Sequence, residues 1–275
     1  MYSLEHGTLI SYTVCGREML KTPPRPVFWR APVNNDYGSA MPQRYAQWKI
    51  ADLYAFPMGD RMLLKEKNMK PCTLNEDGSV SFKTCWVMPC KPAAECWMEI
   101  TVYPEGKTMI RLDYDPVKEL GDMPLFGVSF KMDADYDAVR YYGMGPEENY
   151  SDRAEGARLG IYEYSVEKNM TPYLVPQECG NRTGVRWAAV TDFRGRGLKL
   201  SGDRMEFNAL PWTAHEIENA AHGQELPIRQ YTVVRAAMMQ MGVGGDDSWG
   251  ARTHDEYLID LSGRISFAFC LEPQL

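Results

Sequence analysis

The sequence lacks the long hydrophobic run that a membrane-spanning helix requires. No stretch of its 275 residues approaches about 20 consecutive uncharged apolar residues. The first twelve residues, MYSLEHGTLISY, contain neither a basic segment nor an apolar segment, so they do not form a secretory signal. We therefore predict a protein without a membrane partner.

Positive charge is also scarce. The chain has 30 Lys and Arg residues against 37 Asp and Glu residues, which gives a net charge of −7, and its basic residues form no cluster. A nucleic-acid-binding protein needs a positive face to displace counterions from phosphates. The charge distribution therefore argues against a nucleic acid partner.

None of the seven cysteines belongs to a C-x-x-C pair, which argues against a zinc knuckle and a thioredoxin-type redox site. Cys85, Cys90 and Cys96 alternate with apolar residues, and we predict that they are reduced core side chains. This cysteine usage favours a cytoplasm-like compartment. Localisation stays open, because an N-terminal segment outside this sequence could carry an export signal.

The common catalytic motifs are absent: the sequence has no G-x-S-x-G elbow, no Walker loop and no H-E-x-x-H. His215 and His222 lie seven residues apart on a predicted helix without other evident ligands, so we expect them to form hydrogen bonds rather than to bind metal. Glu147, Glu148 and Glu178 are the loop carboxylates from which a glycosidase pair would have to be chosen. The residues by themselves identify no nucleophile.

Aromatic residues, 23 glycines and 18 prolines are plentiful, and they predict many short strands separated by turns. Alternation and β-branched or aromatic enrichment predict strands at 79–87, 97–103, 109–114, 126–132, 185–190, 197–202, 205–209, 231–240 and 265–271. Helices are predicted at 42–56 and at 213–221, the second with a capping box formed by Thr213 and Glu216. The pattern is typical of one all-β domain, an antiparallel sandwich or barrel with one or two short helices.

Four predicted loops combine Asp, Asn, Glu and Arg with Trp and Tyr. They lie at residues 28–38, 141–153, 176–183 and 241–249, and the second is expected to follow a strand. Planar amide and carboxylate groups can bridge hydroxyls, while an aromatic face covers the C–H side of a sugar ring. This composition is typical of carbohydrate binding, and well-hydrogen-bonded turns of a large sandwich are the alternative.

The motifs in these loops resemble those of one known family. They read WRAP-x-NND-x-G (29–38), YYG-x-GP-x-ENY-x-DR (141–153), PQE-x-GNRT-x-VRW (176–187) and MG-x-GGDDSWG (241–250). In this order they resemble the C-terminal, small-chain domain of glycoside hydrolase family 2 β-galactosidases. The resemblance implies a large antiparallel β supersandwich of the galactose-mutarotase-like type. It assigns residues 1–275 to that domain, without its first strand or two.

The resemblance also implies what this chain contributes. The parent enzyme hydrolyses terminal β-D-galactosides such as lactose by a retaining mechanism, with its catalytic glutamates and its Mg and Na ligands in a TIM barrel outside this chain. No cofactor is expected here. Trp249 is expected to stack on the aglycone sugar, while Asp246 and Asp247 shape its loop. Structural roles are expected for the other polar residues of the motifs: Asn34, Asn35, Asp36, Glu148, Asn149, Arg153, Glu178, Asn181 and Arg182.

The partners that the resemblance implies are the TIM barrel, a jelly roll and immunoglobulin-like domains of the same enzyme, in a homo-oligomer. The chain alone is then inactive. One alternative is a stand-alone carbohydrate-binding module. Another is a protein similar to aldose 1-epimerase, with His215 or His222 acting together with Glu178 as acid and base.

Overall fold

Antiparallel pairing organises the molecule, whose computed structural model describes residues 1–58 and 72–275. The described strands are β1 (Tyr2–Ser3), β2 (Thr8–Leu9), β3 (Thr13–Val14), β4 (Arg17–Glu18), β5 (Thr22–Val27), β6 (Phe56–Pro57), β7 (Cys72–Leu74), β8 (Val80–Met88), β9 (Ala94–Val102), β10 (Thr108–Tyr114), β11 (Leu125–Asp133), β12 (Ala138–Gly145), β13 (Arg158–Ser165), β14 (Arg182–Thr191), β15 (Gly197–Leu210), β16 (Tyr231–Gln240) and β17 (Ile265–Gln274). The described α-helices are α1 (Asn34–Gly38), α2 (Met41–Arg44), α3 (Ala46–Tyr54) and α4 (Ala214–Asn219). Every strand pair among these residues is antiparallel, so the predicted all-β antiparallel fold is confirmed.

Thirteen of the strands form one sheet that branches at β15. The continuous path is β13-β12-β14-β15-β17-β10-β9-β8-β6. A second series of paired strands, β16, β11 and β5, begins at β15, along the same edge of β15 that pairs with β17. Residues 197–202 of β15 pair with β17, and residues 206–210 pair with β16. Arg204, which lies between these two segments, has a positive φ of 52°. The sheet therefore divides into two arms, one through β17 and one through β16.

The two arms pack against each other through aromatic side chains. Tyr114 on β10 and Phe126 on β11 have ring centroids 6.4 Å apart, and Trp48 of α3 meets Tyr114 edge-on at 5.8 Å. Side chains from both arms belong to one apolar cluster. Strands such as β10 and β17 contribute every second residue to it, in the alternation that the sequence predicts. This buried cluster forms the sandwich core, and Cys85, Cys90 and Cys96 are buried as predicted.

Some predicted boundaries are wrong. The helix predicted at 42–56 is divided into α2 and α3 at Tyr45, whose hydroxyl donates a hydrogen bond to Asp122, and its last residue lies in β6. The strands predicted at 197–202 and 205–209 form one strand, β15. Residues 141–145 belong to β12 rather than to a loop, because they pair with β13. The described residues contain four α-helices rather than one or two.

The helix predicted at 213–221 is confirmed in kind but is shorter. The Thr213 hydroxyl accepts a hydrogen bond from the Glu216 backbone at 3.2 Å, and the Glu216 carboxylate accepts one from Thr213 N at 2.8 Å, so the capping box is confirmed. The helix ends at Asn219, which leaves His222 outside it. The two histidines therefore do not share a helix face.

Candidate functional site

The loops that carry the four motifs contact one another. We call residues 241–250 the Trp249 loop. A guanidinium nitrogen of Arg30 donates to the carbonyl oxygen of Gly242 at 3.0 Å, and the Asp152 carboxylate accepts a hydrogen bond from Gly244 N at 2.6 Å. The first and second motifs thus both hold the start of the Trp249 loop.

Apolar contact and close packing add to this connection. Val33, Tyr150 and Val243, from three of the motifs, form a small buried cluster. Gly38 lies so close to the Trp249 loop that a Cβ atom there would overlap the carbonyl oxygen of Ser248. Any larger side chain at position 38 would therefore displace the loop.

Two buried ion pairs lie beneath the loops. Arg30 is fully buried and pairs with Asp36, which also accepts a hydrogen bond from Val33 N at 2.7 Å. The guanidinium of Arg235 on β16 pairs with the buried carboxylate of Glu178. Because an enclosed charge is costly without its partner, both pairs fix the loops that bear them.

Glu148 ties the second motif to the third. Its carboxylate accepts hydrogen bonds from Thr171 Oγ1 at 2.9 Å, from Tyr173 OH at 2.5 Å and from Gly180 N at 2.6 Å, and it pairs with Arg153. Burial by itself would raise the pKa of Glu148, but these partners outweigh it and lower the pKa. Glu148 is therefore an ionised bracing group.

Amide side chains complete the bracing. Asn149 accepts hydrogen bonds from Thr183 N at 2.9 Å and from Thr183 Oγ1 at 2.6 Å, and Asn181 donates to Glu206 on β15 at 2.9 Å. Burial raises the pKa of Glu206 to about 7, and Asn181 and Arg235 offset this effect only in part. The expected structural roles are confirmed for these side chains.

Three of the remaining residues expected to be structural are also placed by hydrogen bonds. Arg182 Nε donates to Tyr141 OH at 3.0 Å, and Asn35 donates to the Val243 carbonyl at 3.3 Å. The Asn34 side chain is exposed, and this residue takes part only through its backbone N–H, which donates to Gln177 at 3.3 Å.

The tip of the Trp249 loop is organised locally. One carboxylate oxygen of Asp247 accepts hydrogen bonds from the backbone N–H groups of Trp249, Gly250 and Ala251, at 2.8, 3.1 and 3.2 Å. These three hydrogen bonds lower the pKa of Asp247, and the bond from Trp249 N–H has the largest effect. The loop backbone is thus wrapped around one carboxylate, as in an Asx turn.

The indole of Trp249 projects from this tip with 84% of its surface exposed. The neighbouring Asp246 pairs instead with His254, at 3.0 Å from its Nε2, and both side chains are exposed. No residue of the Trp249 loop lines either of two cavities, of about 750 and 730 Å³, in the described part of the chain. Contact of Asp246, Asp247 or Trp249 with a sugar stays a prediction.

The residues weighed for other chemistry are engaged elsewhere. His215 Nε2 lies 2.8 Å from the Asp52 carboxylate, and His222 pairs with Glu225 at the surface. His215 and Glu178 line one cavity, but each is already paired with another side chain. Among the loop glutamates, Glu148 is paired with Arg153, Glu178 is paired with Arg235, and Glu147 is exposed.

Within residues 1–58 and 72–275, no group of three or more His, Cys, Asp or Glu side chains is arranged to hold a metal ion. In the same ranges, no helix has the length and apolarity needed to cross a membrane.

Sequence reasoning missed Arg235, although a signal for it was present. The residue is a lone charge within the apolar strand YTVVRAAMMQ. A charged side chain in such a strand needs a buried partner, and Glu178, 57 residues earlier, supplies it. The sequence shows the unsatisfied charge but not which carboxylate meets it.

These features define an all-β antiparallel protein whose interlocked loops present an exposed tryptophan. A profile of the family described as "Beta galactosidase small chain" matches residues 1–271. The chain therefore belongs to the β-galactosidase small-chain family, as the motifs predict.

The chain matches relatives of very different lengths. It is 39% identical to the β-galactosidase of Halalkalibacterium halodurans, over 98% of this chain and 26% of that protein. It is 38% identical to the β-galactosidase of Lactobacillus delbrueckii subsp. bulgaricus, over 100% of this chain and 26% of that one. It is 29% identical to a β-galactosidase small subunit of Latilactobacillus sakei, over 98% of this chain and 91% of that subunit. The chain thus spans about a quarter of the first two proteins and nearly all of the third.

Among solved structures, a galactose mutarotase-like protein from Lactobacillus casei covers 99% of this chain and 95% of its own, with 10% identity and a TM-score of 0.42.

Proposed function

We propose that this chain completes a β-galactosidase of glycoside hydrolase family 2 and that Trp249 supplies the stacking surface for the aglycone of its substrate. The observation that carries the proposal is an 84% exposed indole on a loop whose start is held by Arg30 and Asp152. An indole offers a large, rigid apolar face at low entropic cost. A sugar ring can stack on it without any contact between this chain and the reacting carbon.

In this proposal the chemistry takes place outside the chain. A retaining glycosidase needs two carboxyl groups about 5–5.5 Å apart, one as acid/base and one as nucleophile. The proposed enzyme carries that pair, and its Mg and Na ligands, in a TIM barrel. A jelly roll and immunoglobulin-like domains are its further parts, in a homo-oligomer. The chain by itself is then inactive.

The test is Trp249→Ala in the intact enzyme, with lactose and an aryl β-galactoside compared as substrates. The variant loses the stacking contact with the glucose of lactose, which the aryl galactoside does not contain. We therefore expect kcat/KM for lactose to fall about tenfold, which corresponds to roughly 1.4 kcal/mol. The activated aryl galactoside should change by less than about threefold. Phe193→Ala is the matched control, because Phe193 is another 84% exposed aromatic outside the four motifs.

Equal losses on the two substrates would contradict the stacking role, as would an equal effect of Phe193→Ala. Cleavage of the aryl galactoside by the purified 275-residue chain would contradict the assignment of the catalytic pair to other domains.

A further inference from the structure

A cleft of about 750 Å³ opens over the arm of the sheet formed by β15, β16, β11 and β5. Its walls come from the segment around α4, from Trp29 and Asp52, and from the β1–β2 hairpin. The volume lies within the range of about 300–1,000 Å³ that is usual for small-molecule sites. Because the Trp249 loop does not line the cleft, the proposed aglycone role leaves it without a function.

Strand register builds the floor of the cleft from two rows of side chains. Ser129 on β11 is opposite Arg235 on β16 and opposite Arg25 on β5, and Arg235 is in turn opposite Asn208 on β15. Residues directly opposite in an antiparallel sheet project from the same face. These four residues therefore form a polar row across the cleft.

The second row lies two residues away along β11, β16 and β15, and three residues away along β5, where the register shifts. Lys131 is opposite Val233 and Thr22, and Val233 is opposite Leu210. Leu210 and Val233 make this row apolar towards β15, and Lys131 and Thr22 make it polar towards β5. The floor as a whole alternates hydrogen-bonding groups with apolar surface.

Formal charge on the lining is balanced. Arg25, Lys131 and Arg235 are matched in number by three acidic residues, Glu5, Asp52 and Glu178. Arg235 and Glu178 neutralise each other, and Asp52 already accepts hydrogen bonds from Phe28 N and His215. The cleft therefore offers donors and acceptors without the net charge that attracts an ion.

Two polar groups on the floor, the Ser129 hydroxyl and the Lys131 ammonium, can donate hydrogen bonds to a ligand. The Ser129 hydroxyl has no hydrogen-bond partner within the described ranges, and no carboxylate there lies within 4.0 Å of the Lys131 ammonium. The Lys131 Nζ lies instead 3.7 Å from the centre of the Tyr231 ring, and burial lowers the pKa of this lysine. Both groups can donate to a ligand without breaking an existing bond.

An indole stands at the edge of the cleft. Of the three lining tryptophans, Trp29 and Trp86 are buried, whereas Trp212 is half-buried. Its Nε1 donates to the Pro227 carbonyl at 2.8 Å, which fixes the orientation of the ring. A half-buried, oriented indole beside spare hydroxyl and ammonium donors suits a ligand with an apolar face and a polar rim.

From this arrangement we propose that the cleft is a second carbohydrate site, separate from the Trp249 loop, which binds an uncharged monosaccharide with its hydroxyls on Ser129 and Lys131 and one ring face against Trp212. The balanced lining favours a neutral sugar over a sugar acid or a sugar phosphate. The inference is independent of the aglycone role of Trp249.

The test is a ligand-observed NMR titration of the 275-residue chain with D-galactose. Binding should saturate, and Ser129→Ala should weaken it about three- to tenfold, as expected when one neutral hydrogen bond is lost. Trp212→Ala should weaken it about tenfold. Two controls lie outside the cleft, Ser201→Ala on β15 and Phe193→Ala, and both should leave the dissociation constant unchanged.

Three results would overturn the proposal. The first is a wild-type titration that shows no saturation into the high millimolar range. The second is a loss of binding in Trp249→Ala that Ser129→Ala does not share, which would assign any sugar contact to the Trp249 loop. The third is tighter binding of D-galacturonate than of D-galactose, which would indicate an anion site.

Discussion

The base and the tip of the Trp249 loop are held in opposite ways. At the base, Arg30 is fully buried and bonds to Asp36 and to the carbonyl of Gly242, 212 residues away. At the tip, Trp249 is 84% exposed, and Asp247 bonds only to the backbone of the next few residues. Long-range contacts therefore set where the loop lies, and local contacts set the conformation of its tip.

The difference shows how one side chain can be both accurately placed and accessible. An enclosed charge must keep its partner, so the base resists displacement. The tip contains no buried charge, since Asp247 and Asp246 are exposed and bond to residues 249–254 nearby in the chain. An exposed indole thus stands on a loop whose base is held by buried contacts.

The largest effect is expected when the positive charge of Arg30 is removed from the base of the Trp249 loop. Arg30→Met leaves Asp36 buried without its partner, and we expect the free energy of unfolding to fall by about 3–5 kcal/mol in urea denaturation. Arg140→Met is the control, because Arg140 pairs with Glu163 at the surface and its loss should cost less than about 1 kcal/mol. Similar losses in the two variants would contradict the buried role of Arg30.

The bracing beneath the loops can also be tested through Glu206, which accepts a hydrogen bond from Asn181 and whose pKa is raised to about 7 by burial. The folded state then holds this proton more tightly than the unfolded state, so stability should decrease as the pH rises from about 4.5 to about 7 and be constant above that range. Glu206→Gln removes this dependence while keeping an acceptor for Asn181. The stability of the variant relative to wild type should therefore increase by about 3 kcal/mol between pH 4.5 and pH 8.

Denaturant unfolding at several pH values measures this difference, and other titrating groups cancel in it. Glu105→Gln, on an exposed turn, is the control. A flat curve for Glu206→Gln would show that burial does not hold this carboxyl neutral.

The smallest effect is expected where Gly38 of the first motif lies against Ser248 of the Trp249 loop. Gly38→Ala adds a methyl group that overlaps the Ser248 carbonyl, and we expect a loss of about 1 kcal/mol. Hydrogen exchange at the amides of Gly250 and Ala251 should become faster, because the loop must move. Gly263→Ala, where an added Cβ meets nothing within 4 Å, should change neither quantity. Unchanged exchange in Gly38→Ala would argue against this contact.

Prediction from sequence succeeded where the pattern is local. The alternation in β10 and β17 and the capping box at Thr213 require only near neighbours, and the structure has them as predicted. It failed at Tyr45, where the contact with Asp122 interrupts a helical pattern. It also failed at residues 141–145, since glycines that suggest a loop are accepted in a strand paired with β13.

The sequence by itself determined the all-β class, the turns between strands and, through its four motifs, the family. Only the tertiary structure decided which distant segments meet: Asp152 with Gly244, Glu178 with Arg235, and Gly38 with Ser248. The physical reason is that a strand follows from the preferences of its own residues, whereas a buried charge can be satisfied by any suitable group that the folded chain brings near it.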